Sequence, residues 1–484
     1  MRLGAVFTLG VAGALALTAC SSTNEPDTPP VDANTLSSAL TEAALIGHLE
    51  ELEAIARTND GNRAAGTAGY DASVDYVARA LEDSGFDVET PEFEFHRFDV
   101  AAESLKSGDR DFDVRALTYS ATTGPQGLTA RVVPAPKDDT PGCEPTDYDG
   151  LDVEGAVVLV DRGVCQFAVK QEVAAARGAA AVLVVNNVEG PVAGGTLGDP
   201  DAAKIPTGGV STADGAALAQ AGGDITLTLD TSTETDTSRN VIAQTRTGST
   251  DDVVMVGAHL DSVPEGPGIN DNGTGVAAIL ETAVQLGGSP DIENAVRFAF
   301  WGAEEVGLLG SEAYVDGLTE DERAHIALYL NFDMLGSENA GYLAYDGDNS
   351  DDVGEGPGPE GSAAIERTFV EFLHGRGIAV DGTDFDGRSD YGPFIAHRIP
   401  AGGVFSGADD RKTPEQAQKW GGVPDANFDK NYHSPDDTLA NLDRAALTRN
   451  AAAVAYAIGV YAQSLDGPNG VPSGEEREKA RAAE

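Results

Sequence analysis

Positive charge is scarce in this chain. Across 484 residues, 31 Lys and Arg stand against 80 Asp and Glu, a formal net charge of -49. Such a surface repels nucleic acid phosphates and anionic lipid headgroups, so no nucleic acid partner is expected. The excess acid reads first as a device that keeps a secreted protein soluble, and only weakly as an attraction for cationic substrates. Histidine is sparse as well, with seven in all. Cysteine is sparser, with three, at positions 20, 143 and 165. The apolar stretch from Leu3 to Leu17 is too short to span a bilayer.

What that stretch does resemble is an export signal. "MRLGAVFTLGVAGALALTAC" has a positive start at Arg2, an apolar middle and small residues before a cysteine. "LTAC" resembles a bacterial lipobox, which implies removal of residues 1–19 and acylation of Cys20 as the mature N-terminus. Each buried acyl methylene contributes roughly 0.8 kcal/mol, so Cys20 would tether the body to the outer face of the cytoplasmic membrane. A polar linker over 20–35 follows. The two remaining cysteines are an even number in a compartment where disulfides persist, and Cys143–Cys165 is the expected bridge.

The chain then changes rhythm twice. Residues 36–120 form a first part of the body, with a helical pattern over about 36–56, a Gly-rich turn and a second amphipathic helix ending near Gly85, and an alternating strand, "DVETPEFEFHRFDV". Residues 121–235 carry short Val-rich runs around one helix, and "VLVDRGVCQFAVKQEVAAARGAAAVLVVNN" resembles a protease-associated domain, a β-rich insert. From 236 to 466, near-continuous apolar strands alternate with helices. That pattern predicts an α/β fold whose central sheet is mostly parallel and covered on both faces. The polar, Pro- and Gly-bearing stretch 467–484 is expected to be a disordered tail.

In open α/β sheets, ligands bind beyond the carboxyl ends of strands. Polar residues gather at such places here. "AHLD" offers His259 and Asp261, with Asp271 opening the next helix; "WGAEEVGLLGS" carries Glu304 and Glu305; "NFDMLGS" carries Asp333; "NYHSPDDT" carries His433. Each has a bland reading: solvent-facing Glu pairs, capping Asp, a structural His of the kind assigned to His48, His96, His325, His374 and His397. Against it, these residues interrupt or end apolar runs, where an unpaired carboxylate is costly. The inventory suits two divalent ions with a bridging carboxylate, and the His/carboxylate mix favours zinc. A free carboxylate is then needed beside the attacking water. Adjacent glutamates face opposite ways on a regular strand but can part at its end, one to metal and one to water.

The ordered set "HLD…ND", "EE", "NFDM", "RSDYGPF", "GGVFSGA" and "YHSPDD", with "GNRAAGTAGYDAS" upstream, resembles the co-catalytic zinc aminopeptidases of the Streptomyces and Aeromonas type, in peptidase clan MH. The resemblance implies His259 and Asp333 on one Zn²⁺, Glu305 and His433 on a second, and Asp271 bridging the two. It implies Glu304 as general base, Asp261 as the carboxylate that orients His259, and Tyr432 as the hydrogen-bond donor to the oxyanion. Arg388 and Phe405 fall at substrate-binding positions, and a cis peptide follows the bridging aspartate. Asn431 and Asp436 depart from the Streptomyces pattern, in which cysteines brace the loop of the last His.

The sequence therefore predicts a lipid-anchored zinc aminopeptidase acting on peptides with a free N-terminus, with a monomer expected. A carboxypeptidase or amide hydrolase of the same clan shares the ligands, but a carboxypeptidase needs cations for the free carboxylate, and the acidic balance weighs against it. A non-catalytic binding protein would be signalled by loss of Glu304 or a ligand, and none is lost.

Overall fold

A computed structural model describes residues 1, 29–190, 194–354 and 356–482. The signal segment beyond its first residue, and Cys20 with it, lie outside the described residues. No helix among the described residues is long and apolar enough to cross a membrane.

The body is built on a six-stranded sheet. Its order is Asp87–Glu89, Val241–Gln244, Asn294–Trp301, Ser249–His259, Ile326–Asn331, Ala401–Gly402. Val253 to His259 are buried without interruption, as are all of Ile326–Asn331, because helices cover both faces. One face packs on Glu42–Thr58, Ala68–Asp83, Thr274–Leu286 and Arg444–Gln463, through residues such as Leu49, Val77, Ile279 and Ile458. The other packs Trp301 and Tyr329 on Val315, Tyr391 and Phe394. Each fully buried Leu, Val or Phe contributes about 1.5–3 kcal/mol.

The sheet is mixed rather than mostly parallel. Its last four strands pair in parallel, but Val241–Gln244 runs antiparallel to Asn294–Trp301, and Asp87–Glu89 antiparallel to Val241–Gln244. The cause is the short turn after Gln244, which reverses the chain before Ser249; a parallel neighbour needs a longer crossover. Gly248 is required there: its φ is +85°, and an added Cβ would lie 2.5 Å from Ala295 N.

The helical stretch expected from residue 36 to 56 is two helices, Ala33–Ala39 and Glu42–Thr58, because the Thr41 side chain caps the second by accepting from Ala44 N. The alternating segment after Gly85 also breaks, at Thr90–Pro91. Its second piece, Glu92–Ser107, pairs with Asp224–Arg239 from Glu92–Arg239 out to Lys106–Thr226. This two-stranded ribbon leads into an eight-stranded sheet. The insert's sheet thus takes in residues upstream of the expected start at 121 and downstream of 235. Cys143 and Cys165 form a disulfide with Cα atoms 6.0 Å apart.

The expected disordered tail is a docked helix, Gly474–Ala482. Arg477 donates to the carbonyls of Asp251 and Ala324 and pairs with Asp252; Arg481 donates to the carbonyls of Arg323 and Ile326. Charged donors on main-chain carbonyls hold it in place.

Candidate active site

Three parallel strands end side by side. Ser249–His259 delivers His259, Asn294–Trp301 leads to Glu304 and Glu305, and Ile326–Asn331 leads to Asp333. Ala303, at φ +59°, bends the chain just before the glutamates. The loop after His259 is held from below by Arg63, wholly buried, which donates to the carbonyls of Leu260, Pro267 and Gly268. Burial pushes this guanidinium down to about 10, against the pull of Asp261 and Asp437. Asp271 is fixed through its backbone: Asp437 accepts from Asn270 N at 2.7 Å and from Asp271 N at 3.0 Å. The Asp271–Asn272 bond is cis.

His433, at φ +53°, comes from a loop with no cysteine brace. Hydrogen bonds take that place. Asp429 accepts from Asn431 N and from Asn270 Nδ2, and Ser434 Oγ donates to the Asn431 carbonyl.

The five residues read as metal donors converge in two overlapping triads, His259–Asp271–Asp333 and Asp271–Glu305–His433. His259 Nε2 lies 3.2 Å from Asp271 Oδ1 and 3.3 Å from Asp333 Oδ1. His433 Nε2 lies 3.2 Å from Asp271 Oδ2 and 3.0 Å from Glu305 Oε2. Asp271 therefore turns one oxygen to each triad. Glu304 stands beside them, Oε2 4.0 Å from His259 Nε2. Asp261 is placed differently from the simple expectation. The main-chain carbonyl of Asp261, 3.2 Å away, meets His259 Nδ1, while its carboxylate is 3.8 Å off and accepts from the amides of Glu304 and Glu305. Its carboxylate thus shapes the glutamate turn as well as facing the histidine.

The cluster is buried and strongly acidic. Burial pushes Glu305 up to about 8, with Asp271 adding to it, and lifts Glu304 well above the carboxylate range. For His433, burial opposes the charged form, but Asp271 and Glu305 outweigh it and push the imidazole up to about 10. Such a site holds cationic charge tightly. His259 Nε2, Glu305 Oε1 and Asp333 Oδ1 are buried with no hydrogen-bond partner among the described residues. Unpaired nitrogen and carboxylate donors facing one another fit divalent ions of the zinc type.

A small cleft of about 70 Å³ opens beside them, lined by Met334, Tyr345, Arg388, Phe405, Asp410 and Tyr432 among others. Arg388 donates to Asp409 and, at 3.2 Å, to the Tyr432 hydroxyl, whose ring stacks on His433. Sequence reasoning missed the roles of Arg63 and Asp437. The motifs "GNRAAG" and "SPDD" contain them, but only folding puts them against the 260–271 loop.

The chain can now be set beside known proteins. A family model described as peptidase family M28 matches residues 240–458, and one described as PA domain matches 128–218. The chain is 57% identical to a probable lipoprotein aminopeptidase, LpqL, of Mycobacterium tuberculosis, over 89% of this chain and 86% of that one. It is 43% identical to an aminopeptidase of Pseudomonas aeruginosa, over 85% and 79%. Among solved structures, an aminopeptidase from Aneurinibacillus sp. strain AM-1 superposes with a TM-score of 0.73 at 27% identity, covering 89% of this chain and 96% of that one. A zinc aminopeptidase from Bacillus subtilis gives 0.61 at 28%, over 90% and 96%. Fold and site together define a metallopeptidase with a PA-domain insert. The chain belongs to peptidase family M28.

Proposed function

We propose that this chain is an exported, lipid-anchored zinc aminopeptidase that removes N-terminal residues from peptides. The metallo-aminopeptidase class follows from the family and its named relatives. The observation that carries the finer reading is Asp271, which faces His259 with one oxygen and His433 with the other; Glu304 lies outside both Asp271 triads, though it groups with His259 and Glu305 at a longer 4.0 Å from His259 Nε2. On this reading His259 and Asp333 would hold one zinc and Glu305 and His433 a second, with Asp271 contributing an oxygen to each. Bound zinc supplies a Lewis acid that makes water nucleophilic near neutral pH and offsets negative charge on the reacting carbonyl oxygen.

The chain's own residues do the rest. Glu304, held within reach by the Asp261 carboxylate under its amide, takes the proton of the attacking water and passes it to the leaving amine. The Arg388 guanidinium donates to the oxygen of Tyr432, so the hydroxyl proton stays free to meet the carbonyl oxygen as charge builds there. Phe405 and Met334 give the cleft an apolar wall for the first side chain. Among the described lining residues Arg388 is the one cation, and Asp409 already pairs it. That favours a cleft for a peptide's amine over one for its carboxylate, hence an aminopeptidase over the carboxypeptidase of the same clan. Acylation of Cys20, a monomeric state, and a peptidase body interrupted by the PA insert complete the proposal.

The test is a panel of aminoacyl chromogenic substrates beside N-blocked peptides, with chelator and with zinc restored. Free-amine substrates should be cleaved, chelator should abolish cleavage and zinc should return it. Cleavage confined to blocked peptides, from their C-terminus, would overturn the reading.

A further inference from the structure

The two sulfurs of the insert's disulfide stand in unlike surroundings. Lys170, in the helix Phe167–Ala176, is 0% exposed, and its ammonium lies against Cys143. Its Nζ donates to the Pro141 carbonyl and, at 3.5 Å, to Cys143 Sγ. Neither partner is a carboxylate. Burial draws the ammonium down, and Asp147, Asp161 and Asp138 hold it up through space. A buried cation with no charged group in contact is costly. Cys143 is also tightly seated: Gly142 before it has φ +71°, and an added Cβ there would lie 2.7 Å from Val160 Cγ1 and 3.0 Å from the Tyr148 hydroxyl.

Cys165 is open to solvent on its own side. It lines a cavity of about 430 Å³ together with Arg162, Gln166, Phe167 and Gly195, and Cys143 does not. Val164, just before it, is 72% exposed and has φ +72°. The amide of Cys165 donates to the Gly163 carbonyl at 2.9 Å, which closes a three-residue turn around Val164. A β-branched residue in left-handed backbone at the centre of such a turn is strained, and strain of this kind marks segments that the surrounding structure holds in place. Opening the bridge would free this turn.

We propose that Cys165 is a thiol-modification site: a low-molecular-weight thiolate entering the cavity attacks Cys165 Sγ and expels Cys143 as a thiolate that Lys170 receives. A new S–S bond joins the small thiol to Cys165. The Cys143–Cys165 bond breaks, and its electron pair stays on Cys143 Sγ. The small thiol's sulfur is oxidised and Cys143 is reduced, one for one. The departing thiolate gives the buried ammonium the counter-charge it lacks in the closed state. A cation beside a thiol lowers its pKa, and a leaving thiol of lower pKa departs faster. The direction of attack is thus set twice, by access to Cys165 and by charge behind Cys143. None of this depends on the two-metal reading.

The folded enzyme is incubated with glutathione, quenched at early times by acid and alkylation, and each cysteine is read by mass spectrometry. Wild type and Lys170→Met are compared, and wild type is repeated in urea. Folded wild type should carry glutathione on Cys165 and the alkyl group on Cys143, in about tenfold excess over the reverse pattern. Lys170→Met keeps the length of the side chain and removes the charge, so the bridge should open on the order of tenfold more slowly. In urea the preference for Cys165 should vanish, because the cavity and the buried ammonium are gone. Glutathione found equally on both cysteines, or mainly on Cys143, overturns the proposal. So does a bridge that stays closed in folded wild type, an unchanged rate in Lys170→Met, or a preference that survives in urea and so belongs to the local sequence. If Lys170→Met does not fold, the wild-type pattern with and without urea decides.

Discussion

Glu304 and Glu305 are neighbours with the same carboxylate, and the backbone turns them to different surroundings. The bend at Ala303 and the Asp261 carboxylate beneath both amides send Glu305 to His433 and leave Glu304 outside the triad. Glu304→Gln should keep zinc content and thermal stability nearly unchanged while turnover falls about 10²–10⁴-fold, the usual worth of a positioned base. Glu305→Gln should lose zinc from one position, and some stability with it. Zinc stoichiometry and kcat on both variants check this; normal turnover in Glu304→Gln, with loss of activity but not zinc in Glu305→Gln, would mean the two are reversed. The five proposed donors were legible as residues in the chain because a carboxylate or imidazole at the end of an apolar run is expensive without a partner. Asp437 and Arg63 were not, because their work is done on backbone atoms far away in sequence, and no local spacing marks it.

At the level of elements, legibility followed the strength of the local pattern. The parallel strands Ser249–His259 and Ile326–Asn331 carry unbroken apolar runs, Val253–Ala258 and Ile326–Leu330, that announce burial on both faces. The antiparallel edge is set by a four-residue turn, whose geometry overrides the rhythm around it. The C-terminal helix misled for a different reason: its composition is that of a solvated tail, and what holds it is a set of carbonyls supplied by other segments. Arg477, 5% exposed, meets three main-chain carbonyls and Asp252. Arg477→Ala should cost about 1–3 kcal/mol, read as a lower denaturant midpoint, with turnover unchanged because the helix makes no contact with the site residues described above. A loss of activity at full stability would show the helix reaching the site by a route not visible in these contacts.

For the whole molecule, the acidic charge and the proposed acylation of Cys20 would act against each other: charge would keep the body off anionic headgroups, and the anchor would keep it near them. Cys20→Ser should move the enzyme from the membrane to the soluble fraction with kcat unchanged, as followed by detergent partition and chromogenic assay. The PA insert is attached through one ribbon, with Asn240 N donating to the Pro91 carbonyl at its base. Near that base Phe95 packs on Ala303, next to the glutamates, so the lower ribbon supports the site and the upper part does not. Joining Asp99 to Ser232, which face each other across the ribbon, should leave a folded, zinc-binding body that accepts larger peptides. Unchanged size selectivity would make the insert a docking module instead. The same single point of attachment has a consequence for the order of events during export. On the proposed export route the chain would leave the translocon from its N-terminus, and the insert is complete once residue 239 has emerged, whereas the body still lacks five of its six strands. The insert is thus free to fold on its own while the catalytic half is still threading, and the active site is the last part of the enzyme to exist.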